Sequence, residues 1–236
     1  MKKLLMMAPV TLILAGCDNS STPAAFTPEM ASFSSEFDFD PLRGPVKDFS
    51  QTLMDAQGKV SKYVTGKMSE EGCFDLLEFH DLEKNTGASL VLDANYYLDA
   101  ISQKKLLRLQ GKCQLAALPA SGVTWDTDDN GFVVSASGKD MHITYRYDSD
   151  GYPLGKTTDV KNEHLSVVAT PSKDKRKKMD YTAISTLNEQ RVGNVKQSCD
   201  YDHHDNPINC DLQIVDESVK PPVTRHYTIK NNIEYY

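Results

Sequence analysis

The run Ile143-Thr-Tyr-Arg-Tyr-Asp148-Ser-Asp-Gly151 decides the fold class. Ile143, Tyr145 and Tyr147 alternate with polar residues, the period of a strand with one buried face, and the alternation stops at an Asp-x-x-Gly turn. Asp in the first position accepts hydrogen bonds from the turn's own amides, and Gly in the fourth tolerates the positive φ that leads into a returning strand. The same frame recurs at Asp55-Ala-Gln-Gly58 and Asp128-Asp-Asn-Gly131, again between apolar or aromatic alternations. Leu165 to Ala169 and Tyr181 to Leu187 read as further strands, and Asn231-Asn232 as the turn of a last small hairpin near Tyr236. The expectation is a mainly β fold: a single antiparallel, hairpin-rich curved or stacked sheet domain with at most one or two short helices. Leu90 to Leu118 reads two ways. Leu90, Leu92, Ala94, Tyr96 and Leu98 alternate as in a strand, whereas Leu98, Ile101, Leu106 and Leu109 suit one face of a helix.

Tyr147-Asp148 followed by Pro153-Leu154 returns as Tyr201-Asp202 followed by Pro207-Ile208, and Trp125-Asp126 begins a similar unit. These windows resemble the tyrosine-aspartate repeats of large bacterial surface and toxin-delivery proteins. The resemblance implies a curved or stacked antiparallel sheet and no activity.

At the other end of the chain, Lys2 and Lys3 precede the apolar run Leu4 to Leu14, closed by Ala15-Gly16-Cys17. A dozen apolar residues after a basic start form an export signal, too short for a bilayer that needs about 20 helical residues. Small residues before a cysteine resemble the bacterial lipobox, which implies cleavage before Cys17 and acyl chains on its sulfur and amine. Asp18, with Asn19 after it, resembles the sorting rule that retains lipoproteins in the inner membrane. Residues 1–16 are thus expected to be a signal peptide, 17–45 a lipidated Cys and flexible tether, and 46–236 a β-rich domain facing the periplasm. The tether rests on composition: Ser, Thr, acidic residues and prolines at 23, 28, 41 and 45 bury little apolar surface. Phe33, Phe37 and Phe39 interrupt it, and their rings are expected to dock on the domain rather than on a partner.

The precursor carries 26 Lys plus Arg against 33 Asp plus Glu; without Lys2 and Lys3 the balance is 24 against 33, a net of −9. Such acidity argues against nucleic acid and against a general affinity for anionic lipid, since both need a basic surface. The basic run Lys173-Asp-Lys-Arg-Lys-Lys178 reads as a solvated hairpin tip. Besides Cys17 there are Cys73, Cys113, Cys199 and Cys210, an even number that reads as two disulfides in an exported chain. Cys199 with Cys210 across a turn, leaving Cys73 with Cys113, is the favoured pairing. The competing arrangement is a zinc site from Cys199, His203, His204 and Cys210, whose spacing matches no ribbon or knuckle.

No phosphate loop, dinucleotide glycine pattern, His-Glu-x-x-His pair or Gly-x-Ser-x-Gly elbow is present. Ser102-Gln-Lys-Lys105 and Ser172-Lys-Asp-Lys175 fit Ser-x-x-Lys but lack the partner elements of penicillin-recognising enzymes. Asp126, Asp128, Asn130 and Gly131 match the first half of a calcium loop, yet the twelfth position is Ser137 in place of a bidentate acid. No catalytic residue, metal or cofactor is assigned. Lipobox, acidic tether, four further cysteines and the aromatic-Asp windows together resemble the YnfC lipoproteins of enterobacteria. That resemblance implies a lipid anchor at Cys17 and transfers no catalytic role. The expected function is a non-catalytic, membrane-anchored module binding an envelope protein or glycan through exposed aromatic strands. The alternatives are a hydrolase using Asp126, Asp128, Asp129, Asp148 and Asp150 as acid and base, or a calcium-binding module.

Overall fold

The computed structural model describes residues 22–236. The described residues make one α-helix, α1 (Pro28–Phe37), and sixteen strands. The first eight are β1 (Val46–Asp55), β2 (Val60–Met68), β3 (Phe74–Asp81), β4 (Thr86–Asp93), β5 (Tyr96–Asp99), β6 (Lys105–Gln110), β7 (Gln114–Leu118) and β8 (Val123–Thr127). The others are β9 (Val133–Gly138), β10 (Met141–Tyr147), β11 (Pro153–Val160), β12 (Glu163–Pro171), β13 (Tyr181–Leu187), β14 (Gln190–Tyr201), β15 (Pro207–Asp216) and β16 (Val223–Tyr235). Each strand pairs antiparallel with its sequence neighbours, and β1 pairs with β16 from Val46↔Tyr235 to Asp55↔Tyr227, so the sheet closes into a barrel without edges. Leu90 to Leu118 therefore resolves into strands, β4 to β7. The hairpin expected at Asn231-Asn232 does not form: β16 runs straight through, and Asn231 turns inward to donate to the Pro207 carbonyl at 2.8 Å.

The Asp turns form as their chemistry dictates. Asp55, Asp128 and Asp148 each accept two backbone amides on Oδ1, two and four residues on, at 2.9–3.0 Å. Asp202 does the same for His204 and Asn206, with Asp205 at φ +60° where the others have Gly. The repeat register shifts by two at its first copy: Asp128, not Asp126, is the turn residue matching Asp148 and Asp202.

An up-and-down barrel puts alternate connections at alternate ends. One end, the proximal rim, gathers the turns after β8, β10, β12 and β14 with the start of β1 and the end of β16. The turns after β1 and β11 lie at the opposite, distal rim.

Sixteen strands enclose more space than their own side chains fill. Here the N-terminal segment fills it. Phe26 donates its amide to the Asp150 carbonyl at the proximal rim, Thr27 caps α1 through its hydroxyl, and α1 descends into the lumen. The chain reverses at Asp38, which is in the left-handed conformation, and returns through Pro41–Pro45 to β1. Folded structure is thus present from Phe26 on, so residues 26–45 are not the flexible tether expected there; Cys17, Asp18, Asn19 and the expected signal peptide lie outside the described residues. Met30 and Phe33 are 2 % and 1 % exposed; Phe33 packs on Phe74 and Tyr97, Phe37 on Phe79, and Phe39 on Phe49. Gly66 makes this possible on the wall, since a Cβ there would lie 2.3 Å from the Phe49 ring. The bonded cysteines are Cys73 with Cys113 and Cys199 with Cys210.

On β16 the barrel's outer face is polar. Outward positions of β16 are Thr224, His226, Thr228, Lys230, Asn232 and Glu234, whereas a membrane-spanning barrel carries an apolar belt there. Among the described residues no helix is long and apolar enough to cross a membrane. If the plug holds the barrel together, Phe33→Ala will cost about 3–5 kcal/mol in denaturant unfolding, the range for emptying a buried aromatic site. The outward Val168→Ser will stay within about 0.5 kcal/mol.

Candidate lumenal site

The plug fills the lumen unevenly. Toward β2–β10 its aromatic rings meet the wall directly, in a core that includes Leu77, Leu90, Leu107, Leu115, Trp125 and Tyr145. Toward β11–β16 a cavity of about 400 Å³ remains between plug and wall. Its wall is apolar: Leu53, Val64, Val167, Ala169, Ala183, Val195, Leu212, Ile214 and Ile229. Gly155 contributes bare backbone, at φ +110° with the Val167 carbonyl 2.0 Å from where a Cβ would sit. On the proximal side Tyr152 and Met179, each 3 % exposed, close the floor, so the cavity opens toward the distal rim.

Four charged side chains line this space. Lys62 on β2 donates to the Asp38 carboxylate at 2.7 Å and to its main-chain carbonyl. Lys156 on β11 donates to the Ser35 carbonyl at 2.9 Å. The two ammonium groups thus satisfy carbonyls at the C-terminal end of α1, where the helix dipole favours cations. The Asp38 side chain is 90 % exposed at the mouth of this space; desolvation by the surrounding chain raises its pKa, but the Lys62 ammonium, aided by Lys156, outweighs that and holds the carboxyl below its ordinary value.

Asp40 lies deeper. Its amide donates to Gln51 Oε1 at 2.9 Å, its carbonyl accepts from Gln51 Nε2 at 2.6 Å, and its Oδ2 accepts from Gln197 Nε2 at 3.0 Å. Burial pushes this carboxyl up to about 6, against the Gln197 hydrogen bond and with the Asp38 charge adding to the rise. Gln197 Oε1, on a side chain 2 % exposed, has no partner among the described residues.

None of the carboxylates singled out in the sequence reaches the cavity. Asp126 accepts from Ser135 Oγ at 2.8 Å, and Asp128 serves its own turn. Asp148 and Asp150 pair with Lys178 and Lys175, at 2.5 Å and 3.2 Å. Arg176 approaches Asp205 at 3.9 Å, so three residues of the basic run are paired across the proximal rim rather than only solvated. His203 and His204 pack against each other and Tyr235, while Cys199 and Cys210 bond to each other. The aromatic strands are not exposed either: Trp125 and Tyr145 point into the core at 4 % exposure. Sequence reasoning missed Lys62, Lys156, Asp40 and Gln197. What signal there was lay in Thr27-Pro28-Glu29, an N-cap, a first-turn Pro and a first-turn acid, followed by apolar residues at 30, 33 and 37.

A family model described as "Uncharacterised protein family (UPF0257)" matches residues 1–236. The chain belongs to this family. Curated relatives named UPF0257 lipoprotein YnfC, from Salmonella dublin and Salmonella typhi, are 67 % identical over 236 residues, the full length of both chains. This UPF0257 chain is a lipoprotein of that family. Among solved structures, a porin-like protein from Bacteroides uniformis superposes with a TM-score of 0.51 at 10 % identity, over 80 % of this chain and 96 % of that one. At that identity the likeness speaks for the barrel alone.

Asp40 is the site's most testable group. Between about pH 4 and 6 the folded chain holds a proton there that the unfolded chain releases, so stability falls as pH rises through this window and stays lower above it. Asp40→Asn will therefore stabilise by on the order of 2 kcal/mol near pH 8 and leave stability nearly unchanged near pH 4, as read by urea unfolding at the two pH values.

Proposed function

We propose that this protein is a non-catalytic binding module, anchored by lipid at Cys17 on the periplasmic face of the inner membrane, with its ligand site in the barrel lumen. The observation that carries the reading is the cavity itself: about 400 Å³, walled largely by aliphatic side chains, with polar groups from the plug, from Gln51, Lys62, Lys156 and Gln197, and from the tyrosines Tyr63, Tyr152 and Tyr181. Pockets of this size and make-up are typical of small-molecule sites. A barrel packed for stability alone would gain by filling the space, since voids forfeit dispersion contacts. The sequence placed an envelope protein or glycan on exposed aromatic strands; the inward burial of Trp125 and Tyr145 favours a small apolar ligand in the lumen instead. The turn carboxylates are committed to amides and lysines, which favours a binding role over the hydrolase alternative.

Two experiments test this. The mature chain carrying Cys17→Ser needs no detergent, and a naphthylamine probe that brightens in apolar surroundings should bind it saturably at one site. Ala183→Trp, which fills the cavity from the β13 wall, should abolish that binding while the near-UV circular dichroism of the fold persists. For the anchor, support comes from the Lys2–Cys17 sequence and the lipoprotein relatives. Membrane fractionation should find the native protein with the inner membrane and Asp18→Ser shifted to the outer; native protein in the outer membrane would refute the sorting assignment.

A further inference from the structure

Only one of the cavity's two cations is held in an ion pair. Lys62 is committed to Asp38, in a pair that is neutral as a unit. Lys156 has no salt-bridge partner among the described residues, and its one hydrogen bond goes to an uncharged carbonyl, that of Ser35. An ammonium carries three donors, so two of its protons are left toward the lumen. Lys156 faces inward by register: its partners across the sheet are Tyr145 on β10 and Val167 on β12, one in the core and one on the cavity wall. A half-buried ammonium with no carboxylate in contact is costly, and an anion in contact relieves the cost.

The polar and apolar linings are separate. Lys156 and the Lys62–Asp38 pair hold the C-terminal end of α1, whereas Val195, Leu212, Ile214 and Ala183 form an apolar wall on β13–β15. A negative head is repelled by Asp40 and drawn to Lys156, while an alkyl tail suits the wall. A volume of about 400 Å³ lies toward the lower end of ligand pockets, enough for one chain and too little for a two-chain lipid.

Resting on the lumenal site proposed above, we infer that the ligand is a single-chain amphiphile with an anionic head, such as a long-chain carboxylate, its head on Lys156 and its chain along β12–β15. A charge-assisted hydrogen bond in this setting corresponds to about tenfold or more in affinity.

The test is displacement of the naphthylamine probe from the Cys17→Ser chain near pH 8 by palmitate and by hexadecanol, which share a chain length and differ in the head. Palmitate is expected to compete about tenfold better. Lys156→Met should remove that preference by weakening palmitate alone, and Lys156→Arg should keep it. Equal competition by the two in the native sequence, or a preference that survives Lys156→Met, overturns the anionic assignment while leaving the lumenal site standing. Failure of both to displace a bound probe overturns the alkyl-chain assignment, and failure of the probe itself to bind overturns the lumenal reading. Should Lys156→Met not fold, the native-sequence comparison decides alone.

Discussion

A closed sheet of sixteen strands has an interior that its own inward side chains cannot span, and every other feature of this protein answers that constraint. The answer is a segment of the same chain. Phe33 stacks within 4.9 Å of Phe74 and 5.7 Å of Tyr97, centroid to centroid, joining the plug to β3 and β5 at once. Burial of the plug rings is the main reason the wall does not collapse, because a barrel closed between β1 and β16 cannot flatten to fill its own void.

Driving a helix into a lumen creates a second problem, since its last carbonyls leave water without intrahelical partners. The wall supplies them. Lys62 and Lys156 come from opposite flanks of the opening and meet the chain at Asp38 and Ser35. These side chains thus have a structural duty that fixes the plug's depth, and the depth fixes where the cavity begins. Asp40 pulls the other way. Its carboxyl is raised by burial, so the turn that follows the helix is held less firmly above about pH 6 than below. The plug is stapled at its helix end and strained just beyond it.

The parts legible in sequence are those decided by nearby residues. The Asp frames at 55, 128 and 148 announce their turns because the side chain and the amides it accepts are within four positions. The inward aromatic faces follow from alternation of period two. The helix was hidden by composition: Ser32, Ser34 and Ser35 look like tether, yet Ser32 accepts the Val133 amide at 3.0 Å and is buried. That bond links residues 101 apart, and the one closing β1 on β16 links residues far more distant still. No local pattern encodes either. The cavity is harder to foresee again, being the space left where the plug's rings point away from β11–β16.

The same geometry sets which way the cavity faces. The plug enters at the proximal rim, where Phe26 is bonded to Asp150. Between Cys17 and Phe26 the chain spans at most about 30 Å even when fully extended. Under the lipid anchor proposed at Cys17, the proximal rim would be the one held beside the bilayer, with the turns carrying Lys173 and Lys177 nearest the headgroups. The cavity, floored by Tyr152 and Met179, would then open at the far rim, away from the membrane, and an amphiphile would reach it from the aqueous side. A lumen open to the bilayer would exchange lipid by lateral contact; one facing away would exchange only with what is carried to it through water. The anchor point and the direction of the plug would impose that difference together, and neither would alone.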